Sequence, residues 1–176
     1  RFKATDNMAK DITIDDREQG SWHGSDLAGF DDVFFDNLAG RIVFVMDVSG
    51  AVPAEVISCC RERCNRYQAG LALTGLDNFD DNRIIFGEQL PEYIVFDLSL
   101  IRDITSDDNR QDLISLMIEH CHRLGISAVA SGIATADELI TVKQLGFDFA
   151  QGYYLGKPQA KASGLDPEAL RMLNDG

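Results

Sequence analysis

Two aspartates, Asp47 and Asp97, sit in apolar runs that read as buried strands, Arg41–Val48 and Tyr93–Asp97. Side chains alternate along a strand, so Asp47 shares a face with Val45, and Asp97 with Val95. On adjacent strands at the mouth of a sheet, two carboxylates can hold one cation or divide acid and base work. The same residues also fit a plainer role, with Asp97 tying down a neighbouring loop and Asp47 solvated at the rim. A further strand end, Ala128–Thr135, breaks at Gly132 and then starts a helix. Thr135 and Glu138 there have the spacing of a capping box. That corner carries Ser131 and Ala134 but no pair of acid, base or nucleophile.

The remaining reactive side chains give weaker patterns. Cys59, Cys60, Cys64 and Cys121 follow neither a zinc-ribbon nor a disulfide spacing. Cys60 and Cys64 share a helical face with Val56 and Tyr67, which suits buried small hydrophobes in a reducing cytoplasm. His120 and His122 stand two apart on a helix and cannot share a face, which disfavours a joint metal site. Trp22 and His23 fall in a loop and read as packing or surface residues.

The elements that must position these groups alternate. Strands are expected at Arg41–Val48, Leu71–Leu73, Tyr93–Asp97, Ser127–Ser131 and Phe147–Gln151, with a short one at Ile12–Ile14. Helices are expected from Pro53 to about Ala69, stopped by Gly70, then over Asp107–Leu124, Ala136–Leu145 and Pro167–Leu173. The helix over Asp107–Leu124 gathers Leu113, Ile114, Met117, Cys121 and Leu124 on one side. A short helix over Asp31–Leu38 ends at Gly40. Alternation of this kind implies parallel strands with crossover helices, in a (β/α) barrel or an open doubly wound sheet. No glycine-rich phosphate loop follows any strand, which disfavours a Rossmann-type site.

Composition narrows the partners. The 176 residues suffice for one domain with a real core, and 45% hydrophobic with 26% charged residues is ordinary for a globular protein. A net charge of −13 and a pI near 4.5 repel phosphate backbones and argue against nucleic acid. No apolar run reaches the ~20 residues that span a bilayer, so no membrane insertion is expected. No signal peptide is visible, and Arg1 suggests a fragment or a processed chain. The expected location is cytoplasmic.

Several blocks stand in a familiar order: Leu71–Leu73, Leu90–Asp97, Leu124–Ile126, Ala130–Thr135, Leu145–Asp148 and Gln151–Pro158, the last reading Gln-Gly-Tyr-Tyr-Leu-Gly-Lys-Pro. Together they resemble the second half of an EAL domain, the cyclic di-GMP phosphodiesterase family. The resemblance covers about residues 41–158 and implies a (β/α)8-type, TIM-type barrel. Here the barrel is expected to be incomplete, with about six strands recognisable. The first strands and the Glu-Ala-Leu signature lie outside the match. On this reading residues 1–40 form an irregular N-terminal segment with one possible barrel strand. Residues 41–158 carry the β/α repeats, and 159–176 a tail with a short helix.

The resemblance also implies a chemistry, in which two divalent cations are held by carboxylates and an asparagine at the strand ends. Carried over residue by residue, those positions are degenerate. The metal-binding glutamate of the fourth strand falls on Val45, the paired aspartates on Thr74 and Gly75, and the lysine on Val95. The glutamates of the strand-seven motif fall on Ser131 and Ala134, and the asparagine on Thr13. Only Asp97 and Gln151 are retained. Hard cations want several oxygen ligands, and valine, alanine and glycine side chains offer none.

The expectation is therefore a degenerate, silent relative: not an enzyme, with no metal and no cofactor. It would act through a protein partner or as a homodimer, or as the regulatory end of a larger signalling protein. The acidic balance and the replaced positions argue against cyclic di-GMP binding. A non-hydrolysing cyclic di-GMP sensor is one alternative, and a repurposed barrel enzyme using Asp47 and Asp97 is another. The counterpart of the family's activation loop, Asp77–Phe86, is a candidate contact surface. Six strands cannot close as eight do, so an open seam is expected beside Ile12–Ile14 and Phe147–Gln151.

Overall fold

The computed structural model describes residues 3–4, 43–49, 52–76, 90–156 and 166–174. The expected Ile12–Ile14 strand, the Asp31–Leu38 helix, Trp22, His23 and the Asp77–Phe86 loop lie outside these residues. The strands are β1 (Lys3–Ala4), β2 (Val43–Asp47), β3 (Gly70–Thr74), β4 (Tyr93–Phe96), β5 (Ser127–Ser131) and β6 (Phe149–Gln151). The helices are α1 (Ala54–Arg66), α2 (Leu98–Ile101), α3 (Asp108–Arg123), α4 (Ala136–Leu145) and α5 (Pro167–Asn174). All six strands pair in parallel, in the order β1-β6-β5-β4-β3-β2. This is an α/β fold, an incomplete barrel in which the first strand lies against the last.

The seam falls elsewhere than expected. Phe149–Gln151 pairs on both sides, with β1 and with β5. Among the described residues the two edges are β1 and β2.

Helix ends follow local chemistry. Thr135 Oγ1 accepts from the Glu138 amide at 3.2 Å while the Glu138 carboxylate accepts from the Thr135 amide at 3.1 Å, so the capping box forms. α4 ends at Gly146, whose φ of 91° suits a residue without Cβ. α1 ends earlier than the sequence suggests. Gln68 takes the left-handed conformation (φ 51°) and turns the chain, so Gly70 is free to start β3. Asp97 is not a strand residue but the N-cap of α2. On α3 the buried face is Ile114, Met117, Ile118 and Cys121, whereas Leu113 is 56% exposed. Leu113 stands one position before Ile114, about 100° away around the helix, and so leaves the core side.

The main core lies between the sheet and its helices. Leu71, Leu73, Ile94, Phe96, Ala128, Ala130 and Ala150 point into it from the strands. Phe96 and Phe147 meet edge to face, with centroids 5.0 Å apart. The opposite face of the sheet buries Ala72, Val95 and Val129, flanked by Val43, Val45, Tyr93 and Phe149. Tyr93 on β4 and Phe149 on β6 meet edge to face at 5.8 Å although β5 separates them. Such an approach across β5 fits the concave inner face of an incomplete barrel.

Two acidic residues lock the lower rim. Glu92, just before β4, accepts from the Arg61 guanidinium at 2.7 and 3.0 Å and from the Leu71 amide at 2.7 Å. Arg61 also donates to the Leu90 carbonyl. Asp148, just before β6, accepts from the Ala128 amide at 2.8 Å and pairs with His122 at 2.9 Å. Burial works against the Glu92 carboxylate, but the Arg61 guanidinium and the Leu71 amide outweigh it and hold its pKa below the ordinary value.

A carboxylate with a lowered folded pKa stabilises above its unfolded value, and that contribution disappears as pH falls through the folded value. For Glu92 the loss occurs below about pH 4. Glu92→Ala also leaves the Arg61 charge buried without its carboxylate. Breaking a buried pair costs about 3–5 kcal/mol, and the partial exposure of Glu92 reduces this to about 2–3 kcal/mol. Urea denaturation at pH 7 measures the loss. Repeating it at pH 3 should shrink the gap between the variant and the parent chain.

Candidate functional site

The upper ends of the strands on the concave face form one rim. Asp47 ends β2 opposite Thr74 on β3, and Ser131 ends β5 opposite Gln151 on β6. Asp97 follows β4 between them. Below this polar rim lie Val45, Ala72, Val95 and Val129. The concave face is therefore apolar in depth and hydrogen-bonding at its mouth.

Asp47 and Asp97 do not come from adjacent strands, because β3 stands between β2 and β4. Two strand spacings separate them by about 10 Å. Each also serves its own turn. Asp47 Oδ1 accepts from the Ser49 amide at 2.8 Å, and Asp97 Oδ1 accepts from the Ser99 amide at 2.8 Å. The repeated pattern Asp47-Val48-Ser49 and Asp97-Leu98-Ser99 is the sequence signal for these turns. Asp47 moreover folds over Gly75, where an added Cβ would collide with its Oδ1 and with the Ser49 amide nitrogen.

Ser131 and Gln151 are brought together. The Gln151 amide Nε2 donates to Ser131 Oγ at 2.9 Å. The Gln151 backbone carbonyl in turn accepts from the Gly132 and Ile133 amides at 3.0 and 3.1 Å, which folds the corner after β5 onto β6. Gly152 permits this approach, since a Cβ there would strike the Ile133 backbone. Ala134 is exposed at the corner, and its amide donates to the Glu138 carboxylate at 2.8 Å. Thr13 lies outside the described residues.

The donors do not match a two-cation centre. Val45, Val95, Gly75 and Ala134 carry no side-chain oxygen, and Thr74, Ser131 and Gln151 are neutral. Among the described residues no group of three or more histidines, cysteines or acids could hold a metal ion. No described helix is long and apolar enough to cross a membrane.

Comparison with known proteins places this rim in context. A sequence model of the EAL domain matches residues 37–158. The probable cyclic di-GMP phosphodiesterase PdeG of Escherichia coli K12 is 29% identical over 129 residues, 71% of this chain and 25% of that protein. An uncharacterized protein of Azorhizobium caulinodans is 30% identical over 113 residues, 62% of this chain and 15% of its own length. The chain therefore spans a quarter or less of these curated relatives. A standalone versatile EAL protein from Vibrio cholerae O395, solved in its c-di-GMP-bound form, superimposes with a TM-score of 0.62 at 23% identity. That alignment covers 74% of this chain and 56% of the other, and it speaks for the fold.

Two expectations need correction. The reading that the chain is not an enzyme is overturned by the EAL match together with a relative named as a probable cyclic di-GMP phosphodiesterase. Replaced ligand positions, taken singly from a motif, were too narrow a basis for it. The expectation that cyclic di-GMP binding is unlikely finds no support in these comparisons; the Vibrio protein was solved in its c-di-GMP-bound form, and its likeness to this chain is one of fold.

The corner geometry makes a direct prediction. Gly75→Ala combines a φ of 77° with the collision against Asp47, and should cost at least about 1–2 kcal/mol. Thr135→Ala removes only a cap and should cost about 1 kcal/mol. Thermal unfolding of both variants, compared at one pH, orders the two.

Proposed function

The chain belongs to the EAL domain family, and from that membership we propose that it is a cyclic di-GMP-binding signalling module, working as the regulatory part of a larger signalling protein. The coarser half of this, an EAL module related to cyclic di-GMP phosphodiesterases, rests on the match over residues 37–158. The finer half is supported by one observation, the paired Ser131 and Gln151 at the mouth of the concave face. An amide side chain has two N–H donors and a carbonyl acceptor. Gln151 uses one donor on Ser131, and the rest of its amide suits the mixed donor and acceptor edge of a guanine base. The apolar floor of Val45, Val95 and Val129 beneath it suits the flat face of such a base.

Calorimetric titration with cyclic di-GMP, with and without magnesium, tests this reading. Heat of binding is expected in both arms, because the described rim offers hydrogen bonds rather than a carboxylate cluster. Chromatography of the same samples reads any linear dinucleotide released. Gln151→Ala should weaken binding by about five- to tenfold, the equivalent of one hydrogen bond of roughly 1 kcal/mol. A folded chain that takes up no dinucleotide in either arm overturns the reading.

A second reading, contact with a protein partner, is favoured by a different surface. α3 exposes Leu113 and Leu116, at 56% and 65%, one turn apart on its outer side. Leu113→Asp together with Leu116→Asp should leave the fold intact. If this face is a contact, the change should lower the assembled mass seen by light scattering.

A further inference from the structure

The turn after β6 carries a large exposed ring. Tyr153 is 71% exposed and stands two residues after Gln151, so their Cα atoms lie within about 7 Å of each other. The turn itself is held in place. The Tyr154 amide donates to the Ile133 carbonyl at 3.1 Å, and the Leu155 and Gly156 amides both donate to the Gly152 carbonyl. Leu155 is buried beneath, and its carbonyl accepts from the Asp166 amide at 2.9 Å, which brings the start of α5 against the turn. A cavity of about 410 Å³ opens there, lined by Ala134, Tyr153, Tyr154, Asp166 and Glu168. Its volume falls in the range of small-molecule sites.

The polar groups of this lining are unequally engaged. The Tyr154 hydroxyl donates to Met172 Sδ at 3.2 Å, and Asp166 Oδ1 accepts from the Glu168 amide at 2.9 Å. Among the described residues none engages the exposed Glu168 carboxylate. The cavity thus offers an aromatic face on a fixed turn and a carboxylate with open acceptors. An aromatic face stacks on any base. The carboxylate is selective. Guanine carries two adjacent donors on its pairing edge, N1–H and the 2-amino group, and one carboxylate accepts both. Adenine turns an acceptor nitrogen to the same place and is repelled. A phosphate is repelled too, because Asp166, Glu168 and, at the Ala134 corner, Glu138 are all acidic.

We propose that this cavity is the subsite for the second guanine of a cyclic dinucleotide whose first guanine meets Gln151, with Tyr153 as the stacking platform and Glu168 as the residue that selects guanine. The inference rests on the cyclic di-GMP-binding reading above and assigns residues to the other base of that ligand. Tyr153 stands near enough to Gln151 for one molecule to reach both. The small ring of sugars and phosphates then stays outside the acidic wall.

Calorimetric titrations of the parent chain, Tyr153→Ala, Tyr153→Phe and Glu168→Gln with cyclic di-GMP and with cyclic di-AMP test the assignment. Both side chains are exposed, so the melting temperatures should match that of the parent chain. Tyr153→Ala should weaken cyclic di-GMP by about fivefold or more, whereas Tyr153→Phe, which still stacks, should stay within about twofold of the parent. The parent chain should prefer cyclic di-GMP to cyclic di-AMP by roughly tenfold or more, and Glu168→Gln should erase most of that preference. A parent chain that binds cyclic di-GMP while Tyr153→Ala binds it equally well overturns this subsite and leaves the dinucleotide reading standing. Equal affinity of the parent chain for the two dinucleotides overturns the role of Glu168. A parent chain that binds neither overturns the subsite and the dinucleotide reading together.

Discussion

Glu92 receives three hydrogen bonds on one carboxylate, and they come from two different elements. Arg61, on α1, has a side chain only 6% exposed, and an unpaired charge at that depth would cost several kcal/mol. The carboxylate removes that penalty and at the same time takes the Leu71 amide at the start of β3. The Glu92 backbone joins in, donating to the Leu71 carbonyl and accepting from the Ser127 amide. One residue therefore fixes α1, β3, β4 and β5 relative to each other. Asp148 repeats the device one strand pair along, holding Ala128 of β5 and His122 of α3.

These locks decide what stands at the other end of the strands. A slip of one residue in a strand exchanges its two faces. With Glu92 anchored, Tyr93 and Val95 face the concave side and Ile94 and Phe96 face the helices. With Asp148 anchored, Phe149 and Gln151 share the concave side, and Gln151 arrives opposite Ser131. The hydrogen bond between those two at the mouth is thus a consequence of acids at the base. The acids that a sequence search seeks at the mouth, Asp47 and Asp97, are held by the turns that follow them.

Much of this was legible in the sequence, and the limits have physical causes. Continuous apolar runs and glycine stops mark β2 to β6, and the Thr135–Glu138 box marks the start of α4. The end of α1 was hidden because a glutamine, Gln68, adopts the left-handed conformation usually left to glycine. The face of α3 was misjudged at Leu113 because apolarity alone does not say which side of a helix is buried. Strand adjacency was misread for Asp47 and Asp97, since β3 between them offers the concave face only Ala72 and Thr74 and turns Leu71 and Leu73 to the core. Above all, substitutions at motif positions say which ligands are gone, not which activity is gone. The family match and the named relative carry more weight on that point.

The rim also constrains how a dinucleotide could sit. Phosphates commonly settle on free amides at a helix N-terminus. At α4 the Ala134 and Thr135 amides already donate to Glu138, and the Glu138 amide donates to Thr135. A phosphate approaching that end meets the Glu138 carboxylate, which occupies the Ala134 and Thr135 amides. The donors and acceptors on offer lie instead on Ser131 and Gln151, above an apolar floor. Such a surface recognises a base by its edge and its face, and leaves the phosphates toward water. In the proposed reading, the affinity of the described rim therefore comes from the purine and changes little with salt, in contrast to a site built from lysines and arginines.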